Sequence, residues 1–141
     1  MRILTILFVL SFSVSAYADY TYEQFLGAVR YKESRGEPRQ GEGAIGDNGK
    51  ARGPFQIWRV YWQDAVEFDR SIGGRYEDCA KMEYSRKVVN AYMRRYAAKA
   101  MKDGNWEVCS RIHNGGPKGH SKPSTVPYWQ DVKKNLESNK R

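Results

Sequence analysis

Two acidic residues, Glu33 and Asp47, stand fourteen positions apart in the chain. If the fold brings them together, their carboxyl groups could do acid–base chemistry. Asp47 belongs to the segment Gly46–Trp58, which combines glycines and a proline with an amide, cations and aromatic rings. The Asp-Asn-Gly start of this segment supplies the left-handed backbone of a tight turn. A carboxylate, an amide and flat apolar faces on a rigid loop suit a cleft that binds a sugar. The alternative is a surface hairpin whose glycines only make turns.

Glu33 stands at the end of a predicted helix over residues 22–34. Thr21 and Gln24 form a capping-box pattern at its start, and the segment 35–38 contains the Gly and Pro that end it. The apolar stripe on the same face as the glutamate consists of Tyr22, Leu26 and Val29. The carboxyl group should therefore be partly withdrawn from water, which favours the protonated form that a general acid needs. Alternatively, Glu33 turns to solvent or pairs with Lys32 or Arg35.

The chain starts with a pattern typical of a signal peptide. Arg2 precedes an apolar run over residues 3–14, and an Ala-x-Ala cleavage site ends at Ala18. We therefore predict a signal peptide over 1–18 and one compact domain over 19–141, secreted to the extracellular space, or to the periplasm in a bacterium. The apolar run is too short to span a bilayer, so stable membrane insertion is not expected. An uncleaved anchor is the alternative.

The net charge of +8 predicts attraction to polyanions. Removal of Arg2 with the leader would lower this charge to +7. Bacterial cell-wall polymers, anionic membranes and nucleic acids all qualify, but no run of five cations and no basic–aromatic motif favours nucleic acid. Charge alone does not choose among these partners, and nucleic acid is the weakest choice.

Cys79 and Cys109 are the two cysteines of the chain. In an oxidising compartment an isolated pair more often forms a bridge than binds metal, so a disulfide is predicted, with two free buried thiols as the alternative. The two cysteines and two histidines match no zinc spacing, so neither a metal nor a cofactor is expected.

The remainder of the chain reads as a small β-hairpin lobe followed by four helices. The predicted helices cover approximately 58–68, 85–102, 105–114 and 128–136, and a loop covers 69–77. The fold class is therefore α+β and mostly helical. Glu33 and the loop around Asp47 should face each other across a cleft between the lobe and the helices.

Six motifs in order resemble those of invertebrate-type, destabilase-like lysozymes. They are Glu33-Ser34, Gly46–Ile57, Tyr61-Trp62-x-Asp64, Tyr92-Met93-x-Arg95-Tyr96, Arg111–Pro117 and Tyr128-Trp129. The Gly46–Ile57 and Asn114–Pro117 pieces also look like lytic transglycosylases and goose-type lysozymes. The resemblance implies a lysozyme-like fold and cleavage of the β-1,4 bond between N-acetylmuramic acid and N-acetylglucosamine in bacterial peptidoglycan. Glu33 matches the family's general acid and Asp47 its second carboxylate.

Residues with fixed donors, acceptors or aromatic faces are the candidates for sugar contacts. They are Gln56, Tyr61, His113 and Asn114. His113 could instead be a helix-end histidine satisfied by a carbonyl group.

This sequence departs from the family's pattern in its low cysteine content and in inserted residues around 41–43. Glu37, Glu42 and Asp64 compete as the second carboxylate, although Asp64 fits a structural hydrogen bond better. If Asp47 only shapes the loop, a non-hydrolytic lytic transglycosylase becomes the natural alternative.

Two further alternatives belong to other classes of function. One is a cationic protein that binds walls or membranes without catalysis. The other is isopeptide cleavage through a Ser–His pair, for which the available residues are Ser110, Ser121, His113 and His120. These residues show no nucleophile motif.

Overall fold

The computed structural model describes residues 17, 19–35 and 38–138. The regular elements are α1 (Tyr22–Ser34), β1 (Ile45–Gly46), β2 (Ala51–Arg52), β3 (Ile57–Trp58), α2 (Arg59–Phe68), α3 (Met82–Tyr96), α4 (Ala98–Lys102), α5 (Trp106–Gly115) and α6 (Val126–Ser138). Short 3-10 helices cover Pro38–Gly41, Asp47–Gly49, Arg70–Ile72, Tyr76–Ala80, Gly119–Ser121 and Pro123–Thr125. The predicted α+β, mostly helical class is confirmed.

Helix α1 begins and ends where the sequence predicts. Thr21 accepts a hydrogen bond from the Gln24 backbone, and the Gln24 side chain accepts one from Thr21 N. At the other end Arg35 takes a left-handed conformation, with φ 49°, and its N–H bonds to Tyr31 O. This cap stops the helix directly after the turn that carries Glu33.

The prediction of one helix over 85–102 is wrong in two respects. Helix α3 already begins at Met82, because Glu42 from the lobe accepts a hydrogen bond from Met82 N and so caps the first turn. The helix then breaks at Ala97, whose φ of −131° leaves the helical range, and α4 follows. Five helices therefore follow the lobe in the described chain, rather than four.

The core is built where α1 packs on α6, α2 on α3, and α5 on both α3 and α6. Aromatic rings join these elements: Trp106 stacks on Phe25 with centroids 5.1 Å apart, and Tyr61 stacks on Tyr92 with centroids 3.5 Å apart. The helical part is therefore held mainly by apolar burial, which is non-directional and scales with the area removed from water.

The lobe is a three-stranded antiparallel sheet in the order β1-β2-β3. Ile45 pairs with Arg52 and Gly46 with Ala51, and Ala51 and Arg52 pair in turn with Trp58 and Ile57. The predicted hairpin is present, and a third strand extends it and leads directly into α2.

The predicted signal peptide, residues 1–18, lies outside the described residues except for Tyr17. Within the described part of the chain, no helix combines the length and the apolar character needed to cross a bilayer.

Candidate active site

A cleft of about 450 Å³ opens between the lobe and the helices. All six residues predicted for the site line it. The full lining consists of Glu33, Asp47, Ala51, Gln56, Trp58, Val60, Tyr61, Asp64, Tyr92, His113, Asn114, Gly115, Gly116 and Pro117. Residues that are far apart in the chain thus meet on one concave surface, where binding sites usually lie.

Glu33 projects into the cleft from the last turn of α1, with 19% of its side chain exposed. The Tyr128 hydroxyl donates to Glu33 Oε1 at 2.6 Å, and His113 Nε2 lies 3.6 Å from the same oxygen. Within the described chain, Oε2 has no hydrogen-bond or ion-pair partner, so it is the oxygen available to a ligand. Lys32, one of the weighed alternatives, instead forms an ion pair with Asp131 at 2.7 Å.

Tyr128 is a permanent hydrogen-bond donor to Glu33. Burial raises the pKa of Tyr128 well above its usual value, and the neighbouring Glu33 carboxylate raises it further. The phenol therefore keeps its proton throughout the neutral range. Because this donor holds Oε1, a proton carried by Glu33 is directed to Oε2.

His113 is oriented by Tyr61. The Tyr61 hydroxyl lies 3.0 Å from His113 Nδ1, and burial raises the pKa of Tyr61 well above its usual value. This contact fixes the orientation of the imidazole ring, so that Nε2 is the atom that faces Glu33. Tyr61 itself is 7% exposed and one ring face is covered by Tyr92, so it supports the cleft floor more than it offers a stacking face.

Asp47 differs from Glu33 in its environment, since it lies in a solvent-exposed turn of the lobe. It is exposed, and it begins the 3-10 turn Asp47–Gly49, in which all three residues have positive φ: 48° at Asp47, 52° at Asn48 and 89° at Gly49. The described residues give its carboxylate neither a hydrogen bond nor an ion pair. The carboxylate is therefore open to solvent and to a ligand in the cleft.

Gln56 is fixed on the lobe by its neighbours. Its Nε2 donates to Gly53 O at 3.0 Å, and its Oε1 packs so closely over Gly46 that a Cβ there would approach to 1.8 Å. Glycine at position 46 is therefore required for the amide to lie where it does. The carboxamide keeps free valences with which to contact a polar ligand.

The wall after α5 carries Asn114 and is held from behind. Lys122 Nζ donates to Gly115 O at 2.6 Å, and Arg111 Nε donates to Thr125 Oγ1 at 2.9 Å. A Cβ at Gly115 would come within 2.5 Å of Thr125 Cγ2. Exposed Asn114 thus stands on a wall that is fixed by these two polar contacts and one close approach.

A family model described as Destabilase matches residues 39–135. The chain belongs to the Destabilase family. Asp47, Gln56, Tyr61, His113 and Asn114 lie within the matched residues, whereas Glu33 precedes them.

Proteins named as lysozymes resemble the chain in sequence and in structure. It is 43% identical over 83 residues to a lysozyme of Ostrea edulis, covering 57% of each chain, and 40% identical over 86 residues to Lysozyme 1 of Crassostrea virginica, covering 60% of this chain and 45% of that protein. The chain thus spans about half the length of these curated relatives. Its structure resembles the Tapes japonica lysozyme with a TM-score of 0.62 at 30% identity, covering 81% of this chain and 89% of that one. These matches confirm the lysozyme-like fold.

The competing carboxylates of this Destabilase-family chain occupy different places. Glu42 caps α3 through Met82 N and is absent from the cleft lining. Asp64 lines the cleft, and its backbone oxygen accepts a hydrogen bond from Arg95 Nη1 at 2.7 Å. The structural hydrogen bond favoured for its side chain stays a prediction. Glu37 lies outside the described residues.

The predicted disulfide is absent from the structure, and this expectation is corrected. Cys79 and Cys109 are free thiols, both completely buried. Cys79 lies in the 3-10 helix beneath the lobe and Cys109 in α5, and each is enclosed by apolar neighbours. Burial raises the pKa of each thiol to about 12, so both remain protonated and behave as small apolar side chains.

The serines weighed for isopeptide cleavage lie outside the cleft lining. Ser110 is fully buried and has no hydrogen-bond partner in the described chain, and Ser121 donates to Lys118 O. Among the described residues, no group of three or more His, Cys, Asp or Glu side chains is arranged to hold a metal ion.

Sequence reasoning missed three residues that shape the site. Tyr128 and Tyr92 belong to the family-like motifs without a site role, and Trp58 is the first residue of a predicted helix. For Trp58 a signal was available: it directly follows the strand-forming Phe-Gln-Ile segment, so its side chain could belong to the lobe. No sequence signal joins Tyr128 to Glu33 across 95 positions.

Proposed function

We propose that the chain is a lysozyme that hydrolyses the β-1,4 bond between N-acetylmuramic acid and N-acetylglucosamine in bacterial peptidoglycan. The observation that carries the proposal is the contrast between two carboxyl groups in one cleft. Glu33 is partly buried with Oε1 held by Tyr128, and Asp47 is exposed. Glycosidases commonly use one protonated and one ionised carboxyl group in this way. The names of the similar proteins support the same activity.

In the first step Glu33 acts as general acid. Its Oε2 proton passes to the glycosidic oxygen while the bond from that oxygen to the anomeric carbon breaks, and the electron pair of the bond leaves with the alcohol. The positive charge that develops on the sugar is stabilised by the Asp47 carboxylate, which acts as nucleophile or as electrostatic partner.

In the second step Glu33 acts as general base. The ionised carboxylate takes a proton from a water molecule, whose oxygen bonds to the anomeric carbon. Where Asp47 has bonded to that carbon, this bond breaks in the same step and its electron pair returns to the Asp47 carboxylate; where Asp47 acts only through its charge, the water adds to the oxocarbenium-like sugar. The Tyr128 hydroxyl donates to Oε1 in both stages, so it also stabilises the carboxylate that forms between them. The water and the alcohol balance the reaction, and Glu33 regains its proton.

Replacement of Glu33 tests the acid directly. Glu33→Gln removes the transferable proton with little change in shape, and we expect clearing of purified peptidoglycan to fall by at least about 100-fold. Glu83→Gln is the matched control, because Glu83 is 89% exposed and lies outside the cleft. Full clearing by the Glu33 variant, with the fold verified by circular dichroism, would overturn the assignment.

Analysis of the products tests the role of Asp47. A hydrolase leaves reducing ends, whereas a lytic transglycosylase leaves 1,6-anhydro ends, and mass spectrometry of the released muropeptides distinguishes them. We expect reducing ends from the wild-type chain and a large loss of rate in Asp47→Asn. Anhydro ends would replace the hydrolytic proposal by the transglycosylase.

We further propose that the chain is exported as residues 19–141 and binds anionic bacterial surfaces through its positive charge. The sequence pattern before Asp19 supports the first statement and the excess of Lys and Arg supports the second. N-terminal sequencing of the exported protein checks the cleavage site. Binding to walls should weaken with added salt, since charges are screened beyond about 8 Å at physiological ionic strength.

A further inference from the structure

The register of the small sheet places one large aromatic surface on the lobe wall of the cleft. Gly46, Ala51 and Trp58 are paired across β1, β2 and β3, so they form one row and share one face. Ala51 and Trp58 both line the cleft, which shows that this face is the cleft face. Because the other two positions of the row carry a hydrogen atom and a methyl group, the indole is the large flat surface there.

Trp58 is exposed although its backbone is firmly held. Its side chain is 44% exposed, while the preceding Ile57 is 1% exposed. The buried Tyr76 hydroxyl lies 2.8 Å from both Ile57 O and Lys50 O, which ties the two sides of the lobe together. A large exposed indole on a fixed backbone is a preorganised surface for stacking, and it needs little ordering when a ligand binds.

A cation accompanies this indole. Lys50 Nζ lies 5.8 Å from the centroid of the Trp58 ring, and within the described chain Lys50 forms no ion pair with a carboxylate. Its backbone is fixed by the contact of Lys50 O with Tyr76. The ammonium group is therefore free to meet an anionic group on a ligand whose ring lies against the indole.

We propose that Trp58 and Lys50 form a saccharide subsite for an N-acetylated hexosamine that carries an anionic substituent. The apolar face of the pyranose ring stacks on the indole, and the carboxylate of the substituent pairs with the ammonium of Lys50. This inference rests on the proposed function, since it names the part of the cleft that distinguishes N-acetylmuramic acid from N-acetylglucosamine. The lactyl carboxylate of the former is absent from the latter.

Calorimetric titration in the non-hydrolysing Glu33→Gln background tests the subsite. The two ligands are a tetrasaccharide of alternating N-acetylglucosamine and N-acetylmuramic acid, with free lactyl carboxylates, and the uncharged chitotetraose. We expect Trp58→Ala to weaken binding of both about tenfold, because the apolar contact with the ring is lost. Phe68→Ala is the matched control, since Phe68 is 48% exposed and lies outside the cleft.

Lys50→Gln should separate the two ligands. We expect about threefold weaker binding of the anionic tetrasaccharide, unchanged binding of chitotetraose, and disappearance of the difference at 1 M salt, where exposed charges are screened. Lys102→Gln, another exposed cation outside the cleft, should leave both affinities unchanged.

The outcomes are distinct. If Trp58→Ala binds each ligand as tightly as the control Phe68→Ala does, and melting temperatures show that both variants are folded, the subsite is overturned and the proposed function is left intact. Equal effects of Lys50→Gln on the two ligands, or no effect on either, would overturn the role of Lys50. Failure of the Glu33→Gln protein itself to bind either saccharide would overturn the proposed function together with the subsite.

Discussion

Glu33 lies in the last turn of a thirteen-residue helix, whereas Asp47 begins a three-residue turn. The helical side places Glu33 by contacts between side chains: Tyr128 and His113 meet its Oε1, and Tyr61 orients His113. The lobe places Asp47 by backbone conformation alone, through consecutive residues with positive φ.

Because the two carboxyl groups are held differently, the two sides of the cleft should be sensitive to different kinds of substitution. A partly buried carboxyl group needs polar partners to offset its loss of water, so the helical side is sensitive to the removal of single hydroxyl groups. A solvated carboxylate needs only a fixed position, so the lobe is sensitive to changes at glycine. The chemical difference between the two carboxyl groups therefore follows from how each is held.

Gly53→Ala should give the largest effect on the lobe. Gly53 has φ +72°, and an added Cβ would come within 1.9 Å of Cys79 O, a backbone atom that cannot move aside. We expect a loss of about 3 kcal/mol in the free energy of unfolding, measured by urea denaturation. Gly49→Ala is the control: its φ is +89°, but the added Cβ meets nothing within 4 Å, so only the conformational cost of about 1 kcal/mol should appear. Equal losses would show that the close approach is unimportant.

Tyr128→Phe should remove the hydrogen bond to Glu33 on the helical side of the cleft without unfolding the protein. We expect about a tenfold fall in the rate of peptidoglycan cleavage, because one charge-assisted hydrogen bond to Glu33 is lost. The fall should appear in kcat rather than in KM, because Tyr128 contacts Glu33 and is absent from the cleft lining. Tyr31→Phe, an exposed tyrosine outside the cleft, is the control. An unchanged kcat in Tyr128→Phe would reduce Tyr128 to a packing role.

The two thiols report on both regions, because Cys79 lies beneath the lobe and Cys109 in a core helix. Folding raises the pKa of each to about 12, against about 8.5 in an unfolded chain. Their stabilising contribution is therefore complete below pH 8.5 and is lost as the pH rises towards 12. We expect the free energy of unfolding to fall by about 1 kcal/mol between pH 8.5 and pH 9 in wild type and by about half as much in Cys79→Ala.

Thiol labelling sharpens the same comparison. If the lobe opens more readily than the helical core, iodoacetamide should modify Cys79 before Cys109 in the native protein, as followed by mass spectrometry. Rapid modification of both without denaturant would contradict their burial.

Asp131→Asn should have the smallest effect. Its ion pair with Lys32 links α6 to α1 close to Glu33, but the Asp131 side chain is 46% exposed, so the free energy of unfolding should change by less than about 1 kcal/mol at pH 7. The hydrogen bond from Lys32 lowers the pKa of Asp131. The contribution is thus present above pH 4 and is lost as the pH falls further, and the difference between variant and wild type should vanish there. A loss as large as that in Gly53→Ala would show that the ion pair between Lys32 and Asp131 is a major part of the packing of α1 on α6.

The elements that local sequence determines could be predicted well. The capping box of α1, the Asn105 cap of α5 and the glycine-rich turn at Asp47 depend on residues within a few positions of one another, and all three are present. The cleft and the six predicted residues that line it follow from these elements and from the ordered motifs.

Features that depend on distant contacts could not be predicted. The early start of α3 depends on a glutamate 40 positions away, and the hydrogen bond that holds Glu33 comes from the last helix. The cysteines show the same limit, because composition and compartment favour a bridge, whereas pairing depends on spatial proximity.

The unbridged state of Cys79 and Cys109 has a practical meaning for where this protein can mature. With no other cysteine in the chain, no oxidant and no isomerase are required for it to reach its folded form. Its folding is thus indifferent to redox potential, and the same conformation should form in a reducing cytoplasm as outside the cell. If the chain has the proposed leader and the proposed peptidoglycan-cleaving activity, that activity would be competent before export, and its confinement to the exterior would depend on the leader and not on oxidation.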